Sequence, residues 1–375
     1  MEYYTDLSSK ETKKKLGKYV VEKQIGKGSA ANIYLAEQDS LGRKIVIKEL
    51  LPLYASNKKI IIRFQREARL VSQLSHDAII HIYDYWVRGN SYYIAMEYVP
   101  GPHLRKILST VHHLPVHIAT VIIYQMCRGL EHAHKSGVIH RDLKPANIMI
   151  SNQGQVKILD FGVAHFQEEE NLTTSGALLG TYQYMSPEQA LGKSVTPASD
   201  IFSLGVLFYE LLTGLKPFVK DDDGDVLEKI MRKKVRSARK INPAVPKLLN
   251  RVIKKCMRKN VRWRFQNVDK IKMKLEVYLK KYSIDHNAIL KVYLDNMSPT
   301  AVDRKWPPSL GRRIQYRLTH QKFSTYFIWL IMIAGIVFGE RYLYSREIEF
   351  TDQRDIVIEF ASSVWNNLKH ALIKP

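Results

Sequence analysis

The chain has few cysteines. Only two occur among its 375 residues, Cys127 and Cys256. Two cysteines cannot form a disulfide framework, and no cluster of metal-ligand residues lies near either of them in the sequence. Each lies in an apolar stretch of helical pattern, where a buried thiol is the ordinary state. A small secreted protein held together by disulfides is therefore excluded, and the cysteine content fits a reducing compartment.

The sequence also lacks a secretory signal at its start. Residues 1–18 are polar and rich in lysine, with no apolar core of the kind that a signal peptide needs. We predict that they form a flexible N-terminal tail. With 45% hydrophobic and 25% charged residues, the chain as a whole has the composition of a globular protein, so disorder is not expected.

Acidic residues are scarce in one part of the chain. The net charge is +22, and residues 226–322 contain 27 Lys and Arg against 6 Asp and Glu. A basic block of this kind favours nucleic acid or an anionic membrane surface as a partner, although a merely solvated basic face is the plainer alternative. We expect membrane lipid and no nucleic acid, because the block runs directly into the most apolar stretch of the sequence.

That stretch is residues 323–339, which contain 17 residues without a charge. As a helix it would be ~25 Å long, near the lower limit for crossing a bilayer. A buried globular helix is the alternative, but Tyr326, Trp329 and the basic residues before them favour a single transmembrane helix. Gly335 and Gly339 form a small-residue pair that could bring two such helices together in a homodimer.

The remaining pattern predicts two lobes. Residues 19–99 read as antiparallel strands, a glycine-rich turn and one helix over 59–74, which makes a small lobe rich in β-structure. From Leu104 the pattern is mainly helical, with helices expected over 116–135, 198–213, 225–234, 245–258 and 266–281. Two short strands are predicted around a turn at 152–154. Residues 281–322 read as a basic linker with some helix, and residues 340–375 as a short tail beyond the membrane.

Several segments supply what phosphoryl transfer needs, namely a phosphate cradle, a cation and carboxylates. The glycine-rich turn lets backbone N–H groups approach phosphate oxygens, although an ordinary hairpin is the likelier reading of that turn alone. Lys48 ends the next apolar strand, and Glu67 on the following helix could hold its ammonium group. The turn consists of Ile25, Gly26, Lys27, Gly28, Ser29, Ala30, Ala31, Asn32 and Ile33.

The most specific pattern is the run HRDLKPAN at residues 140–147, followed by DFG at 160–162. Asn147 and Asp160 can offer two oxygen ligands to Mg²⁺, which prefers hard oxygen donors together with phosphate. Asp142 is then left free to accept the proton of the attacking hydroxyl. Chance occurrence of this set at this spacing is negligible.

With these motifs the chain resembles the eukaryotic-like serine/threonine protein kinase superfamily over about residues 19–280, and most of all the bacterial membrane-bound Ser/Thr kinases. The resemblance extends to the run MSPE at 185–188 and to the run SDIFSLG that contains Asp200. It implies the two-lobed α+β kinase fold with ATP in the cleft between the lobes, and an enzyme at the inner membrane whose kinase domain is cytoplasmic.

The resemblance also implies a role for each matching residue. Lys48 would contact the α- and β-phosphates and pair with Glu67, Asp142 would be the catalytic base, and Asn147 and Asp160 would hold Mg²⁺ or Mn²⁺. Lys144 marks serine/threonine rather than tyrosine specificity. The remaining implied residues are Met96 as gatekeeper, Glu97 to Val99 as the adenine contact, Thr181 as a brace for Asp142 and Lys144, Arg264 as the partner of Glu188, and Asp200 as a structural residue.

Three positions depart from the family pattern. Ala31 replaces the third glycine of the turn, Ser186 replaces an alanine, and Val46 stands where the family has alanine in the strand before Lys48. None of these changes removes a catalytic side chain, so an inactive kinase is not favoured. The effect of Val46 is left open by the sequence.

Two rival functions are disfavoured by particular residues. A small-molecule phosphotransferase of similar fold would lack Lys144 and the Ser186 to Glu188 segment that shapes a peptide site. A nucleotide-binding membrane scaffold would not need Lys48, Asp142 and Asp160 intact. Activation by autophosphorylation is a further expectation, with Thr173, Thr174 and Ser175 as the acceptors and Arg141 as the cation that binds the phosphate.

Overall fold

The structure is a computed structural model, and it describes residues 15–28, 30–161, 182–219, 226–280 and 285–297. Over these residues the chain forms the two predicted lobes. The smaller one is built on a six-stranded antiparallel sheet, and the larger one is mainly helical.

The elements of the small lobe are β1 (Lys15–Leu16), β2 (Tyr19–Lys27), β3 (Ala31–Gln38), β4 (Arg43–Leu50), α1 (Lys58–Ser72), β5 (Ile82–Arg88) and β6 (Ser91–Glu97). Strand order in the sheet is β1-β2-β3-β4-β6-β5, so that β4 and β6 are neighbours although β5 comes between them in the chain. Helix α1 lies between β4 and β5 in sequence and contacts β5.

Alternation along β4 decides which side chains reach the cleft. Ile45 and Ile47 are fully buried in a cluster with Tyr19 and other apolar residues of the sheet. Because successive side chains of a strand point to opposite faces, Val46 and Lys48 lie together on the other face. Val46 pairs directly with Met96 on β6, so the larger side chain is accommodated without a shift of register.

Helix α1 is placed by its cap and by its apolar stripe. The side chain of Asn57 accepts hydrogen bonds from the backbone N–H groups of residues 59 and 60, which satisfies two free donors of the first turn. The buried apolar side chains of α1 are Ile60, Phe64, Ala68 and Val71. Glu67 is buried among them, and a buried carboxylate needs a charged or hydrogen-bonding partner.

The larger lobe is assembled around two long helices, α3 (Val116–Lys135) and α5 (Pro197–Thr213). Twelve of the 20 residues of α3 are buried, and 16 of the 17 residues of α5. Gly205 on α5 allows a close approach of α8, because a Cβ there would lie 2.5 Å from the Cβ of Cys256. The elements are α2 (Leu104–Val111), α3 (Val116–Lys135), β7 (Ile148–Ile150), β8 (Val156–Ile158), α4 (Pro187–Ala190), α5 (Pro197–Thr213), α6 (Val226–Arg232), α7 (Ala238–Ile241), α8 (Lys247–Cys256), α9 (Asp269–Lys280) and α10 (His286–Met297).

Helix α10 falls within the segment that the sequence predicts to be a linker with some helix. It packs on α3, where Leu290 is fully buried and the rings of Tyr124 and His286 are 4.6 Å apart. The amide of Gln125 donates to Asn287 Oδ1 and to the carbonyl oxygen of Gly154, each at 3.1 Å. This helix is therefore fastened to the turn of the β7–β8 hairpin.

Within the described ranges no helix is long and apolar enough to cross a membrane. The N-terminal tail is predicted over 1–18, and of these residues Lys15–Leu16 form β1. Residues 1–14, the predicted transmembrane helix at 323–339 and the predicted tail at 340–375 lie outside the described ranges.

A substitution at Gly154 tests the contact between α10 and the turn of the β7–β8 hairpin. Gly154 has φ +81°, and a Cβ at this position would lie 2.1 Å from the carbonyl oxygen of Asn287. We expect Gly154→Ala to lower the free energy of unfolding by about 2–4 kcal/mol, through left-handed strain and through displacement of α10. Urea unfolding measures the loss, and hydrogen exchange over 286–297 reports the displacement.

Gly137→Ala is the matched control. Gly137 has φ +74° with no atom within 4 Å of the added Cβ, so that substitution adds strain without a clash. Equal losses in the two variants, with unchanged protection of α10, would contradict the packing described here.

Candidate active site

Lys48 joins the two lobes. Its Nζ lies 3.1 Å from Glu67 Oε1 on α1 and 2.7 Å from Asp160 Oδ1, which follows β8. The side chains of Lys48 and Glu67 are largely buried. The structure thus brings together three residues that lie up to 112 positions apart in the sequence.

The protonation of these three groups follows from burial and charge. Burial raises the pKa of Glu67 to about 7, with the charge of Asp160 adding to the rise and Lys48 opposing it. Burial also disfavours the charged form of Lys48, but the two carboxylates outweigh it and raise the pKa of the ammonium group. Burial of Asp160 is outweighed by Lys48, which lowers the pKa of that carboxyl. Lys48 and Asp160 therefore form a charged pair at neutral pH.

The second group of predicted residues lies on the loop before β7. Lys144 Nζ is 2.7 Å from Asp142 Oδ2, and Asn147 Nδ2 donates to Asp142 Oδ2 at 3.0 Å and to its backbone oxygen at 2.8 Å. One carboxylate oxygen of Asp142 is thus held between a cation and an amide. This fixes the orientation of the carboxylate without blocking its other oxygen.

The backbone of this region is strained at two points. Arg141 has φ +69° and Asp160 has φ +48°, conformations that cost about 1–3 kcal/mol in residues other than glycine. Asp200 stabilises the first, because its carboxylate accepts the N–H groups of His140 and Arg141, each at 2.8 Å. The same carboxylate lies 2.7 Å from His134 Nε2 and is only 1% exposed.

His140 links this loop to the segment that ends in Asp160. Its Nδ1 accepts the N–H of Asp142 at 3.2 Å, so its Nε2 carries the proton that is donated to the carbonyl oxygen of Leu159 at 2.8 Å. The ring of Phe161 packs on the imidazole at 4.7 Å. Sequence reasoning assigned His140 no role, and the available signal was its place two residues before Asp142.

Glu188 and Arg264 form a bidentate ion pair with both N···O distances at 2.6 Å. Ser199 donates to Glu188 as well, at 2.6 Å. Although burial favours the neutral acid, these donors outweigh it and the pKa of Glu188 is lowered. The pair fastens α4 to the turn that follows α8, and breaking a buried pair of this kind typically costs about 3–5 kcal/mol.

Ser186, one of the three positions that depart from the family pattern, connects α4 with residues 140–147, which we call the catalytic loop. It caps α4 in a reciprocal arrangement with Gln189. The amide of Gln189 in turn donates to the carbonyl oxygen of Arg141 at 2.8 Å. Within the described residues the side chain of Ser186 is hydrogen-bonded to Gln189, so Ser186 helps to orient a residue that holds the strained backbone of Arg141. Sequence reasoning missed Gln189.

The glycine-rich turn lies between β2 and β3, as the pattern predicts. A Cβ would come no closer than 3.6 Å to any neighbour at Gly26 and 3.4 Å at Gly28, and neither residue has a positive φ. Packing of the protein therefore does not demand glycine at these two positions. This leaves close approach of a ligand as the physical reason for them.

The predicted adenine contacts lie at the end of β6. Met96 shares a face with Val46 and Lys48, and Val99 is buried. Glu97 uses its carboxylate to pair with Lys157 at 2.8 Å. Among the residues that the structure describes, no hydrogen bond uses the backbone groups of Val99, which leaves them available to a base.

The protein can supply only some of the oxygen ligands that a magnesium ion needs. Asn147 directs its amide nitrogen to Asp142, so its Oδ1 remains open as a ligand, and Asp160 supplies a carboxylate. In the described part of the chain, no group of three or more His, Cys, Asp or Glu could hold a metal by itself. Two protein oxygens with nucleotide phosphates are the arrangement that Mg²⁺ commonly takes.

Other predicted residues lie outside the described ranges. These are Ser29 of the glycine-rich turn, Thr181, and the three expected phosphoacceptors Thr173, Thr174 and Ser175.

The sequence of the chain also matches a known protein family. The protein kinase domain family matches residues 19–274, which is more than half of the chain. The protein belongs to the protein kinase family.

Several bacterial protein kinases are similar to this chain in sequence. The serine/threonine-protein kinase PrkC of Bacillus subtilis is 38% identical over 253 residues, which are 68% of this chain and 39% of PrkC. The tyrosine-protein kinase MasK of Myxococcus xanthus is 34% identical over 281 residues, which are 71% of this chain and 44% of MasK. The chain spans about two fifths of the length of the first curated relatives it matches.

Among solved structures, the kinase domain of PknI from Mycobacterium tuberculosis superposes with a TM-score of 0.57. The match covers 70% of this chain and 97% of the PknI domain at 22% identity. This likeness establishes the two-lobed fold.

The raised pKa of Glu67 predicts a pH effect on catalysis. Its carboxyl is protonated below about pH 7 and ionised above it, and only the ionised form attracts Lys48. We expect kcat/KM for ATP to fall as the pH is lowered through 7, by about tenfold per unit well below it, because kcat/KM reports groups of the free enzyme. A pH profile from 5.5 to 8.5 measures this.

Glu67→Gln is the control, since it keeps the shape of the side chain but cannot ionise. It should have a lower kcat/KM and should lose this part of the pH dependence. The same acid limb in both proteins would assign it to another group, such as the nucleotide.

Proposed function

We propose that this protein transfers the γ-phosphate of ATP to serine and threonine hydroxyls of proteins. The observation that carries the proposal is the orientation of Asp142, whose carboxylate is held by Lys144 and Asn147 beside the Lys48–Asp160 pair. A carboxylate so placed can accept the hydroxyl proton while the cations oppose the charge of the phosphates.

The chemical step is a single displacement. The acceptor oxygen forms a bond to the γ-phosphorus, the bond from that phosphorus to the bridging β–γ oxygen breaks, and the hydroxyl proton passes to Asp142. Lys48 binds phosphate oxygens, and Glu67 keeps the lysine directed at them. Asn147 and Asp160 would hold Mg²⁺ or Mn²⁺, which when bound neutralises the developing charge on the phosphates.

Lys144 supports serine and threonine as the acceptors. Its ammonium lies 2.7 Å from Asp142 Oδ2, where it can also contact the transferred phosphate. Helix α4 supports a protein substrate. Ser186 caps this helix, Arg264 holds it through Glu188, and its hydrogen bond to Arg141 places it next to the catalytic loop, where a peptide could bind against it. The relative named as a tyrosine kinase makes tyrosine the alternative acceptor to be tested.

Autophosphorylation is part of the proposal. Arg141 is exposed, and among the described residues its side chain has no ion-pair partner. Thr173, Thr174 and Ser175 lie in the segment between the Asp160 motif and α4. A phosphate on that segment could bind Arg141 next to Asp142 and order the segment.

Membrane anchoring is also proposed from the sequence. ATP is cytosolic, so residues 1–322 would lie inside and 340–375 outside. Arg312, Arg313 and Arg317 precede the apolar run on the inner side, whereas residues 340–375 contain 5 basic and 6 acidic residues. Dimerisation through Gly335 and Gly339 would raise the local concentration of kinase domains and favour phosphorylation between subunits.

Two substitutions test the catalytic assignment. Asp142→Asn should lower kcat by about 100- to 10,000-fold with little change in ATP affinity, because a general base acts in the transition state. Asp160→Asn should weaken Mg²⁺-dependent nucleotide binding instead. Phosphate transfer to a basic protein and calorimetric titration with ATP measure the two effects.

Phosphoamino-acid analysis of the same reactions identifies the acceptor. We expect phosphoserine and phosphothreonine, and phosphopeptides of the wild type that contain Thr173, Thr174 or Ser175. Normal transfer by both variants would overturn the catalytic assignment, and phosphotyrosine as the main product would overturn the proposed specificity.

The membrane proposal has its own test in intact cells. An epitope after residue 375 should be removed by protease added outside, while the kinase domain stays intact. Removal only after lysis would refute the topology. Gly335→Ile with Gly339→Ile should reduce autophosphorylation but not transfer to an added protein, and unchanged autophosphorylation would refute the helix dimer.

A further inference from the structure

A second concave site lies in the helical lobe, and none of the catalytic residues lines it. It is a cavity of about 650 Å³ between the end of α5, the segment that joins α6 to α7, helix α8 and the turn that follows α8. This is the size of a pocket that takes a drug-sized ligand or a few residues of a peptide. We call it the α6–α8 pocket.

The described residues that line the α6–α8 pocket have charge of one sign. Seven of them are lysine or arginine, and none of them is aspartate or glutamate. So many cations converging on one concavity repel each other, and an anion would relieve that repulsion. A phosphate group carries about two negative charges at neutral pH and three acceptor oxygens.

Four of these cations are available to a ligand. Three others already have partners. Lys259 donates to the carbonyl oxygen of Ile230 and lies 4.1 Å from the Phe218 ring centroid. Arg232 pairs with Glu228, and Arg236 donates to the backbone carbonyl oxygen of Lys240. The other four side chains are exposed and make no ion pair or hydrogen bond within the described ranges. They are Lys233, Lys234, Lys254 and Arg258.

The floor of the pocket is apolar. Tyr209, Ile253 and Met257 are buried and contribute to it. Trp263 also lines the pocket and leaves 68% of its surface exposed, which is unusual for so large a ring. A ligand that fits this combination has a phosphate and, next to it, an apolar group that can pack on the floor and on the indole.

The shape of the pocket favours a peptide over a bilayer. A membrane surface is broad and flat, so it is met best by a convex or flat basic face, whereas here the cations surround a depression. A peptide segment can place one phosphorylated side chain at the cations and a neighbouring apolar side chain on the floor. Clusters of basic residues are a recurrent means of phosphopeptide recognition.

We propose that the α6–α8 pocket is a docking site for a protein segment that carries phosphoserine or phosphothreonine beside an apolar residue. The site would retain proteins already phosphorylated, which are the products of the proposed function, at a distance from Asp142. Binding there requires none of the catalytic residues, so it is measurable on the Asp142→Asn variant whether or not the catalytic proposal holds.

The test uses full-length Asp142→Asn protein and a fluorescent peptide pool with a central phosphothreonine flanked by degenerate positions that include Leu, Ile and Phe. Fluorescence anisotropy gives the affinity at 150 mM salt. The pocket variant replaces Lys233, Lys234, Lys254 and Arg258 with alanine. The matched control replaces four exposed lysines of the same lobe that do not line the pocket, Lys240, Lys247, Lys270 and Lys274.

We expect the phosphorylated pool to bind, and its unphosphorylated twin to bind at least tenfold more weakly. The pocket variant should lose about 100-fold in affinity, since two or more charge-assisted hydrogen bonds are removed, while the control keeps the affinity of the parent. Trp263→Ala should weaken binding to the apolar-flanked pool more than to a pool flanked by glycine and serine.

Two results would overturn the proposal. Equal losses in the pocket variant and the control would show that only net charge matters. Absence of phosphopeptide binding, together with binding to phosphatidylglycerol vesicles that the pocket variant loses and the control retains, would assign the pocket to a lipid surface instead.

Discussion

The carboxylate of Asp200 is the interaction on which the site depends. It accepts hydrogen bonds from two consecutive N–H groups, those of His140 and Arg141, in surroundings that exclude water. In such surroundings a charge-assisted hydrogen bond is strong, and an unmade one is costly. It therefore stabilises the left-handed backbone of Arg141, which turns the chain so that the next residue, Asp142, faces the cleft. Gln189 holds the same residue from its carbonyl side.

A second constraint connects the lobes. Lys48 belongs to the sheet, Glu67 to the one helix of the small lobe, and Asp160 to the segment after the β7–β8 hairpin. Lys48 and Glu67 are largely buried, whereas Asp160 leaves 42% of its side chain exposed. The three charges lie close together, so the pKa values of the three groups depend on the distance between the lobes. The hairpin that carries Asn147 and Asp160 at its two ends is in turn fastened to α10 through Gln125 and Gly154. The segment toward the predicted membrane helix is thus in contact with the hairpin that positions Asn147 and Asp160, the proposed metal ligands.

Much of this could be predicted from sequence, and for identifiable reasons. The period of apolar residues located α3 at Val116–Lys135, within the predicted bounds, and α5 to within one residue. The motif residues Asp142, Asn147 and Asp160 were recognised because their chemistry requires those residue types at that spacing. The helix predicted over 59–74 is observed as α1 at Lys58–Ser72, because periodicity alone does not fix the ends of a helix to within one or two positions.

The sequence by itself determined the order of the elements, the residues of the catalytic motifs and the position of the basic block, since each of these is written in local pattern and residue type. Only the tertiary structure decided that Gln189 and His140 hold the catalytic loop and that α10 packs on the hairpin turn. It also decided that four cations without a partner in the described ranges surround a cavity with an apolar floor. Those facts depend on contacts between residues distant in the chain. No local pattern encodes which buried donor meets which acceptor, because that is set by how the helices pack.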